Sequence, residues 1–338
     1  MSPADLEPVV YSAEEGVVER TRIDPTRSRL TLIPRHESLY IPRRTCETSF
    51  PPELIRVIAS KTAFAWLCDA IARHEDPTYV SAVLLRQLFS YFAAADFAGK
   101  RLLDFGCGSG ASTFAIAAAL PRTEVIGVEL NPTSVEIAQS IAAYRRLPNV
   151  RFLTSPSGAA LPSGIGQLDF IMFSAVYEHL LPTERKTLMP LIWSVLRPGG
   201  VLFINQTPHR LFPYEHHSTR LWLINYLPDR VAHRVARRYA RHNPELNSSL
   251  DWNELLRGGI RGGTEREIMR NLCLASSATA TILQPSQNGL KDRADYWLAS
   301  TSHRMRLAKK AIAALYRASD RLFGTVPSIN VDVVIRKS

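Results

Sequence analysis

Leu102-Leu103-Asp104-Phe105-Gly106-Cys107-Gly108-Ser109-Gly110 is the stretch on which the fold turns. It begins as a short apolar run, the mark of a buried strand, and ends in a glycine-rich turn that leads into the helical segment 112–120. Gly106 and Gly108 carry no Cβ, so the backbone there can turn tightly and approach a ligand. A strand, a glycine loop and a helix at the carboxyl edge of a parallel sheet form a nucleotide-type binding site.

Outward from this loop the elements alternate. Residues 123–130 read as a second strand, and 132–146 as a helix with Pro132 in its first turn. Residues 150–155 and 168–175 are a third and a fourth strand, 183–196 a helix, and 201–206 a fifth strand after a Pro-Gly-Gly turn. Such alternation predicts an α/β fold with a mostly parallel sheet and helices on both faces. The block 100–207 is therefore the core. Residues 1–50, rich in Pro and Arg, are expected to be an irregular N-terminal arm. Residues 51–99 are expected to pack on the core as helices over 52–75 and 78–97, with Ala59, Ala63, Trp66, Leu67 and Ala70, then Val80, Leu84, Leu88 and Phe92, at helical spacing. Residues 208–263 interrupt the alternation and are expected to be a cap with one or two helices, including 229–241. Residues 264–338 complete the core through a helix over 264–275, a strand over 279–284, a helical insertion at about 285–325 with a helix over 303–322, and a final strand, 330–337.

The loop has two competing ligands. Gly106–Ala111 fits the loose dinucleotide pattern, with Glu129 at the end of the second strand as an acceptor for ribose hydroxyls. Asp104 decides between them: a carboxylate just before the loop repels a pyrophosphate but suits a ligand bearing an ammonium group. S-adenosylmethionine combines an adenosine, an ammonium and a sulfonium without any phosphate. No GxxxxGK[ST] occurs, which excludes a P-loop.

Here the sequence resembles the class I S-adenosylmethionine-dependent methyltransferases of small-molecule type. The resemblance covers about 100–207, with 264–283 and 326–336 as further candidates. Residues 104–110 match the first motif, 125–132 the second, 168–180 the segment of the fourth strand, and 196–208 the turn into the fifth. It implies a Rossmann-like seven-stranded sheet whose last strand is antiparallel, a role that suits 330–337. It also implies S-adenosyl-L-methionine as cofactor, held by Asp104, Gly106, Gly108, Gly110, Glu129, Leu130, Ser157 and Ser174. One position departs: relatives often carry an Asp four residues before a Leu-Pro, whereas Ser157 stands there, before Leu161-Pro162.

Methyl transfer from a sulfonium needs alignment, and a hydroxyl acceptor also needs a base. The candidates are His179, His217 and Glu215, with His209 and His216 nearby. Tyr177-Glu178-His179-Leu180 follows the fourth strand and Thr207–His217 the fifth, at the same sheet edge. Glu215 and His217, two apart, would face one side in extended backbone and with His179 could hold a metal. Adjacent histidines in a loop are more often substrate or surface contacts, and no metal is assigned. Pro213-Tyr214-Glu215-His216-His217 also resembles a P-x-E-x-H segment of methyltransferases from bacterial surface-polysaccharide clusters. That resemblance implies a sugar or other small-molecule acceptor, free or lipid-linked.

The chain has 338 residues and a formal charge of +10. Residues 20–44, 220–241 and 303–323 each carry +5, so the excess lies outside the core, where 100–208 hold nine basic and seven acidic side chains. An anionic acceptor or a peripheral membrane contact is expected there. In 229–241, Val231, Val235 and Tyr239 form an apolar stripe among Arg230, Arg234, Arg237, Arg238 and Arg241; an ordinary lid helix packed on the core is the simpler reading. The four scattered cysteines contain no CxxC and fit a reduced setting, and the N-terminus lacks the basic start and apolar run of a signal peptide, so a cytoplasmic location is expected. No stretch is long and apolar enough to span a membrane. An RNA or DNA methyltransferase is the alternative, but residues 174–177 are Ser-Ala-Val-Tyr rather than [DN]PP[YFW] and no Pro-Cys pair exists, so nucleic acid is not the expected partner. A noncatalytic S-adenosylmethionine-binding partner protein and a nicotinamide-dependent oxidoreductase are the remaining rivals.

Overall fold

The computed structural model describes residues 9–240, 251–275, 279–302 and 304–338. The strands are β1 (Val9–Ser12), β2 (Gly16–Arg22), β3 (Ser28–Pro34), β4 (Thr45–Thr48), β5 (Arg101–Phe105), β6 (Glu124–Glu129), β7 (Val150–Thr154), β8 (Leu168–Ser174), β9 (Leu196–Pro208), β10 (Ala280–Ile282) and β11 (Asn330–Lys337). The helices are α1 (Pro52–Lys61), α2 (Leu67–Glu75), α3 (Val80–Tyr91), α4 (Ala111–Ala119), α5 (Pro132–Arg145), α6 (Pro182–Val195), α7 (Asp229–Tyr239), α8 (Trp252–Arg257), α9 (Glu265–Leu272), α10 (Arg293–Ser300) and α11 (Arg306–Phe323). The main sheet has seven strands in the order β10-β11-β9-β8-β5-β6-β7. β5, β8 and β9 run parallel, as do β6 and β7, while β11 is antiparallel to β9. This is the mostly parallel sheet expected from the alternation and the Rossmann-like seven-stranded arrangement, with the last strand reversed, that the resemblance implied. By packing, the chain divides into two compact units.

One unit comprises Met1–Leu85, Cys107–Pro121 and Val125–Thr154. It corrects the expectation of an irregular arm: β1 to β4 form a four-stranded antiparallel meander. Alternation puts Val18, Leu30, Leu32 and Cys46 inward, in one apolar core with Ile55 and Ile58 of α1, Ile71 of α2, Phe114 of α4 and Ile141 of α5. Each such side chain contributes about 1.5–3 kcal/mol by leaving water. Arg27 and Arg29 are exposed and reach Glu47 of β4 at 2.6 and 3.1 Å, whereas Arg20 pairs with inward Leu30 and has its Nε buried. The turn between β2 and β3 is closed by Asp24, whose carboxylate accepts the amides of Thr26 and Arg27 at 2.7 and 2.8 Å. The helix expected over 52–75 breaks at Thr62 and re-forms after a 3₁₀ turn, Phe64–Trp66. The one expected over 78–97 ends at Tyr91, and a separate 3₁₀ turn covers Ala94–Phe97.

The other unit comprises Arg86–Gly106, Arg122–Glu124 and Ser155–Ser338. Its central strands are apolar along their length, as strands covered on both faces must be: Leu103, Ile171, Met172, Leu202, Phe203, Val333 and Val334 are fully buried. Among its described residues the cap holds two helices, α7 and α8. Its apolar contacts come from Ile224, Ala232, Ala236, Leu255, Leu256 and Ile260. The inward stripe of α7 is thus Ala232 and Ala236, four apart, with Val235 beside them; Val231 and Tyr239, expected inward, face solvent. Arg241 lies outside the described residues, as does His303 at the start of the expected C-terminal helix, where α11 begins at Arg306. Buried Arg261 locks the cap by donating to the carbonyls of Ile224, Asn225 and Leu227 and to Asp229. Among the described residues of the insertion, α11 accounts for the expected C-terminal helix and α10 precedes it. Among the described residues no helix is long and apolar enough to cross a membrane.

Candidate functional site

The glycine loop is held by its own acid. In the first unit the amide of Gly108 donates to Glu129 Oε2 at 2.9 Å, while Leu130 and Asn131 donate to Oε1 at 2.8 and 2.9 Å. Cys107 N–H bonds the carbonyl of Val128 at 3.1 Å, tying the loop to β6. Gly110 begins α4 at φ +90°, and a Cβ there would meet Phe152 and Phe114 at 2.8 and 2.9 Å. Glycine is required at that position for both reasons. His74 of α2, which sequence reasoning did not single out, bonds Ser109 Oγ at 2.9 Å. Burial, then the charges of Arg145 and Arg73, push its pKa down to about 3, so it is a neutral prop for the loop. Leu130 is half exposed.

In the second unit Asp104 is buried near the end of β5, in register with Met172 of β8. Gly106 turns out of β5 at φ +72°, so close to Val176 that a Cβ would fall 2.6 Å from its methyl. Ser174 ends β8, its hydroxyl 3.3 Å from the Gln206 amide. Ser157 is exposed, and its hydroxyl accepts the Ala159 amide at 3.3 Å.

Val176 leads into the turn Tyr177–His179, and this turn is anchored from α6. Buried Arg185 donates to the carbonyls of Leu180 and Glu178 at 2.9 and 3.3 Å. The turn presents Glu178 and His179, and the segment after β9 brings His217 beside them, its ring centroid 5.4 Å from that of His179. One ligand-type atom from each of Glu178, His179 and His217 lies within 4.8 Å of the others. The two histidines expected to share a site therefore do so, but the carboxylate with them is Glu178. Glu215 is placed elsewhere: it is buried and accepts the amides of His217, Ser218 and Thr219 and the Thr219 hydroxyl. Alternation fails because 215–219 is a tight loop wrapped around that carboxylate rather than extended backbone. Glu215 positions His217 and does not face it across a pocket.

His209 is not a site residue either. Its Nδ1 accepts the Leu211 amide at 3.0 Å, so Nε2 carries the proton and donates to buried Glu265 at 3.1 Å. His179 shows the opposite use of a tautomer. Its Nδ1 lies 2.6 Å from the carbonyl of Arg257, which can only accept. The Nδ1 proton is therefore spoken for, and the neutral ring offers Nε2 as a lone pair. Burial, then neighbouring His179, lowers the proton affinity of His217. Burial raises that of Glu178, one carboxylate oxygen of which accepts Thr207 Oγ1–H at 2.8 Å. Gly259, in the Arg-Gly-Gly-Ile-Arg-Gly-Gly loop, completes the wall: at φ +87°, a Cβ would fall 2.6 Å from the His217 ring. Glu178 could have been found from its place beside His179; Gly259 had a sequence signal only in the paired glycines.

Residues 102–200 match the family model described as "Methyltransferase domain". Among curated proteins the chain is similar to a trans-aconitate 2-methyltransferase of Methylobacterium radiotolerans, 35% identical over 123 residues, or 36% of this chain and 44% of that one. It is also similar to a ubiquinone biosynthesis O-methyltransferase of Acinetobacter baylyi, 25% identical over 34% of this chain and 48% of that one. The chain spans less than half the length of these two relatives. Among solved structures, PKMT2 from Rickettsia typhi in complex with AdoHcy aligns over 79% of this chain and 53% of its own, at 15% identity and a TM-score of 0.43. The matched segment, which carries the glycine loop, Glu129 and the Glu178-His179 turn, is a methyltransferase domain similar to those of the class I S-adenosylmethionine-dependent methyltransferases.

Proposed function

We propose that this protein transfers the methyl group of S-adenosylmethionine to a hydroxyl of a small or glycan-like acceptor. In this reading the glycine loop, Asp104 and Glu129 hold the cofactor, Asp104 facing its ammonium group and Glu129 its ribose. Leu130, Ser157 and Ser174 are further proposed cofactor contacts. The named acceptors of the relatives differ from one another, so the acceptor class is argued from this chain's own side chains.

The observation that carries the proposal is the Glu178–His179–His217 cluster beyond the carboxyl ends of β8 and β9. It adjoins Val176, the residue packed on Gly106 where the glycine loop starts. Ligands of open parallel sheets bind at that edge. Methylation of a hydroxyl forms an O–CH₃ bond and breaks the S–CH₃ bond, with the electron pair going to sulfur. The hydroxyl proton must leave, and the Glu178–His179–His217 cluster is the polar group placed to promote its departure. A carboxylate acceptor would need no such groups. His217→Ala is expected to lower kcat about 100-fold or more while changing the Kd for S-adenosylmethionine less than about threefold. Labelled-methyl transfer into a cell extract, with calorimetry in parallel, checks this; undiminished turnover would place the chemistry elsewhere.

The acceptor's presentation follows from α11. Its inward side is marked by buried Ala313, by Tyr316 against Trp297 and by Arg317 paired with Asp292 and Asp295. The other side exposes Leu307, Leu315, Leu322 and Phe323 at 70% or more, with exposed Arg306, Lys310 and Arg321 along the border. An apolar stripe edged by basic residues suits an anionic membrane surface, and hence a membrane-associated acceptor. The full chain is expected to co-sediment with vesicles of roughly 30% anionic lipid and not with neutral ones. Leu315→Glu with Leu322→Glu should abolish this; equal sedimentation with both lipids would remove the membrane from the proposal.

A further inference from the structure

We propose that Glu178, His179 and His217 bind a divalent transition-metal cation, and that this cation is what acidifies the acceptor hydroxyl. The inference deepens the O-methylation reading and rests on it for the role of the cation, though not for its binding.

The geometry contains a conflict that a cation resolves. Glu178 is fully buried, and its Oε2 accepts the Thr207 hydroxyl at 2.8 Å. Its Oε1 is buried with no hydrogen-bond donor and lies 3.8 Å from His179 Nε2. Because the Arg257 carbonyl takes the Nδ1 proton of His179, Nε2 of the neutral ring is also an acceptor. Two acceptors thus face each other, one of them a desolvated carboxylate oxygen, an arrangement that is costly unless something positive lies between them. The Arg257 carbonyl stands in the place where metal-bound histidines commonly find an orienting acceptor. His217 supplies the third donor from the exposed side. Two atoms each about 2.1 Å from one cation are at most about 4.2 Å apart, so the spread of up to 4.8 Å closes with a small movement of the solvent-facing His217 side chain. Gly259 leaves room for that ring.

Two imidazoles and one carboxylate suit Zn²⁺, Fe²⁺, Mn²⁺ or Co²⁺ and leave coordination positions open. An acceptor hydroxyl bound at one of them becomes acidic and loses its proton to water. The resulting oxygen attacks the methyl carbon as the C–S bond breaks, giving the methyl ether and neutral S-adenosylhomocysteine.

The test is titration of the chelator-stripped full chain with Co²⁺, followed by its visible absorption bands, and with Zn²⁺ by calorimetry. One equivalent is expected to bind, and His179→Ala and His217→Ala should each weaken binding about tenfold or more. His216→Ala, next in sequence but outside the cluster, should bind Co²⁺ as the parent does. The His217 side chain is exposed, so its variant serves even where a change at buried Glu178 unfolds the chain. No stoichiometric binding, or binding unchanged in both histidine variants, overturns the site. The two readings fail separately. Tight Co²⁺ binding without methyl transfer to any acceptor would sink the O-methylation reading and leave the metal site. Methyl transfer undiminished in the stripped protein would sink the metal's role and leave O-methylation.

Discussion

Glu129→Ala is expected to raise the Kd for S-adenosylmethionine by about 30-fold or more, the equivalent of about 2 kcal/mol. Two losses combine. The proposed ribose contact is a pair of charge-assisted hydrogen bonds, the stronger kind. The same carboxylate also organises the loop, since it accepts the amides of Gly108, Leu130 and Asn131. A carboxylate offers about four lone-pair directions, so with three filled, two ribose hydroxyls must displace at least one backbone amide. Binding should therefore shift the Gly108 amide resonance in the parent protein. Calorimetry with S-adenosylmethionine and with S-adenosylhomocysteine measures the affinity, and melting of the free protein separates loop damage from lost contact. An affinity within about threefold of the parent would remove Glu129 from the proposed cofactor site.

The glycine loop was legible because its constraints are local. Glycines at positive φ, a preceding apolar strand and an acid at the end of the next strand are all readable from spacing. The N-terminal meander was not, because its inward row is short and its outer face carries arginines and its turn Pro25, which together mask the alternation. α7 misled for a related reason. Val231 and Tyr239 are the larger apolar residues, yet small Ala232 and Ala236 are the ones that let the helix approach its neighbours. At the candidate site, residue type and region were legible but partner choice was not. Both Glu178 and Glu215 lie near His217 in the fold or in sequence, and only the direction of backbone amides assigns Glu215 to its own loop and Glu178 to the histidines. No periodicity encodes that.

A second large effect is expected outside the Glu178–His179–His217 cluster, at Glu265. This carboxylate is buried at the start of α9, and four donors converge on it: Arg293 Nη2 at 2.5 Å, Thr325 Oγ1 at 2.7 Å, the Val326 amide at 3.0 Å and His209 Nε2 at 3.1 Å. Arg293 continues the network to Asp320 of α11 at 2.9 Å. The end of β9, α9, α10 and α11 are thereby joined through one buried charge. Removing one member leaves its partners charged and unpaired, and Arg293→Met is expected to cost about 3–5 kcal/mol. Joining Arg293→Met to Glu265→Leu should recover part of that loss, because the residual penalty is an uncompensated charge rather than a missing attraction. The same residue sets an acid limb. Burial alone would raise the pKa of Glu265, but the hydrogen bond from His209, the charge of Arg293 and the Thr325 hydroxyl outweigh it and hold the carboxyl well below its ordinary range. A depressed folded-state pKa stabilises the protein above the unfolded-state value, and that contribution fades as pH falls below it toward the folded-state value. Thermal melts from neutral pH downward should show a steep acid decline in the parent, and a shallower one from a lower starting point in Glu265→Gln. Parallel declines in the two would mean that the acid sensitivity lies in other carboxylates and that the Glu265 network is only a packing junction.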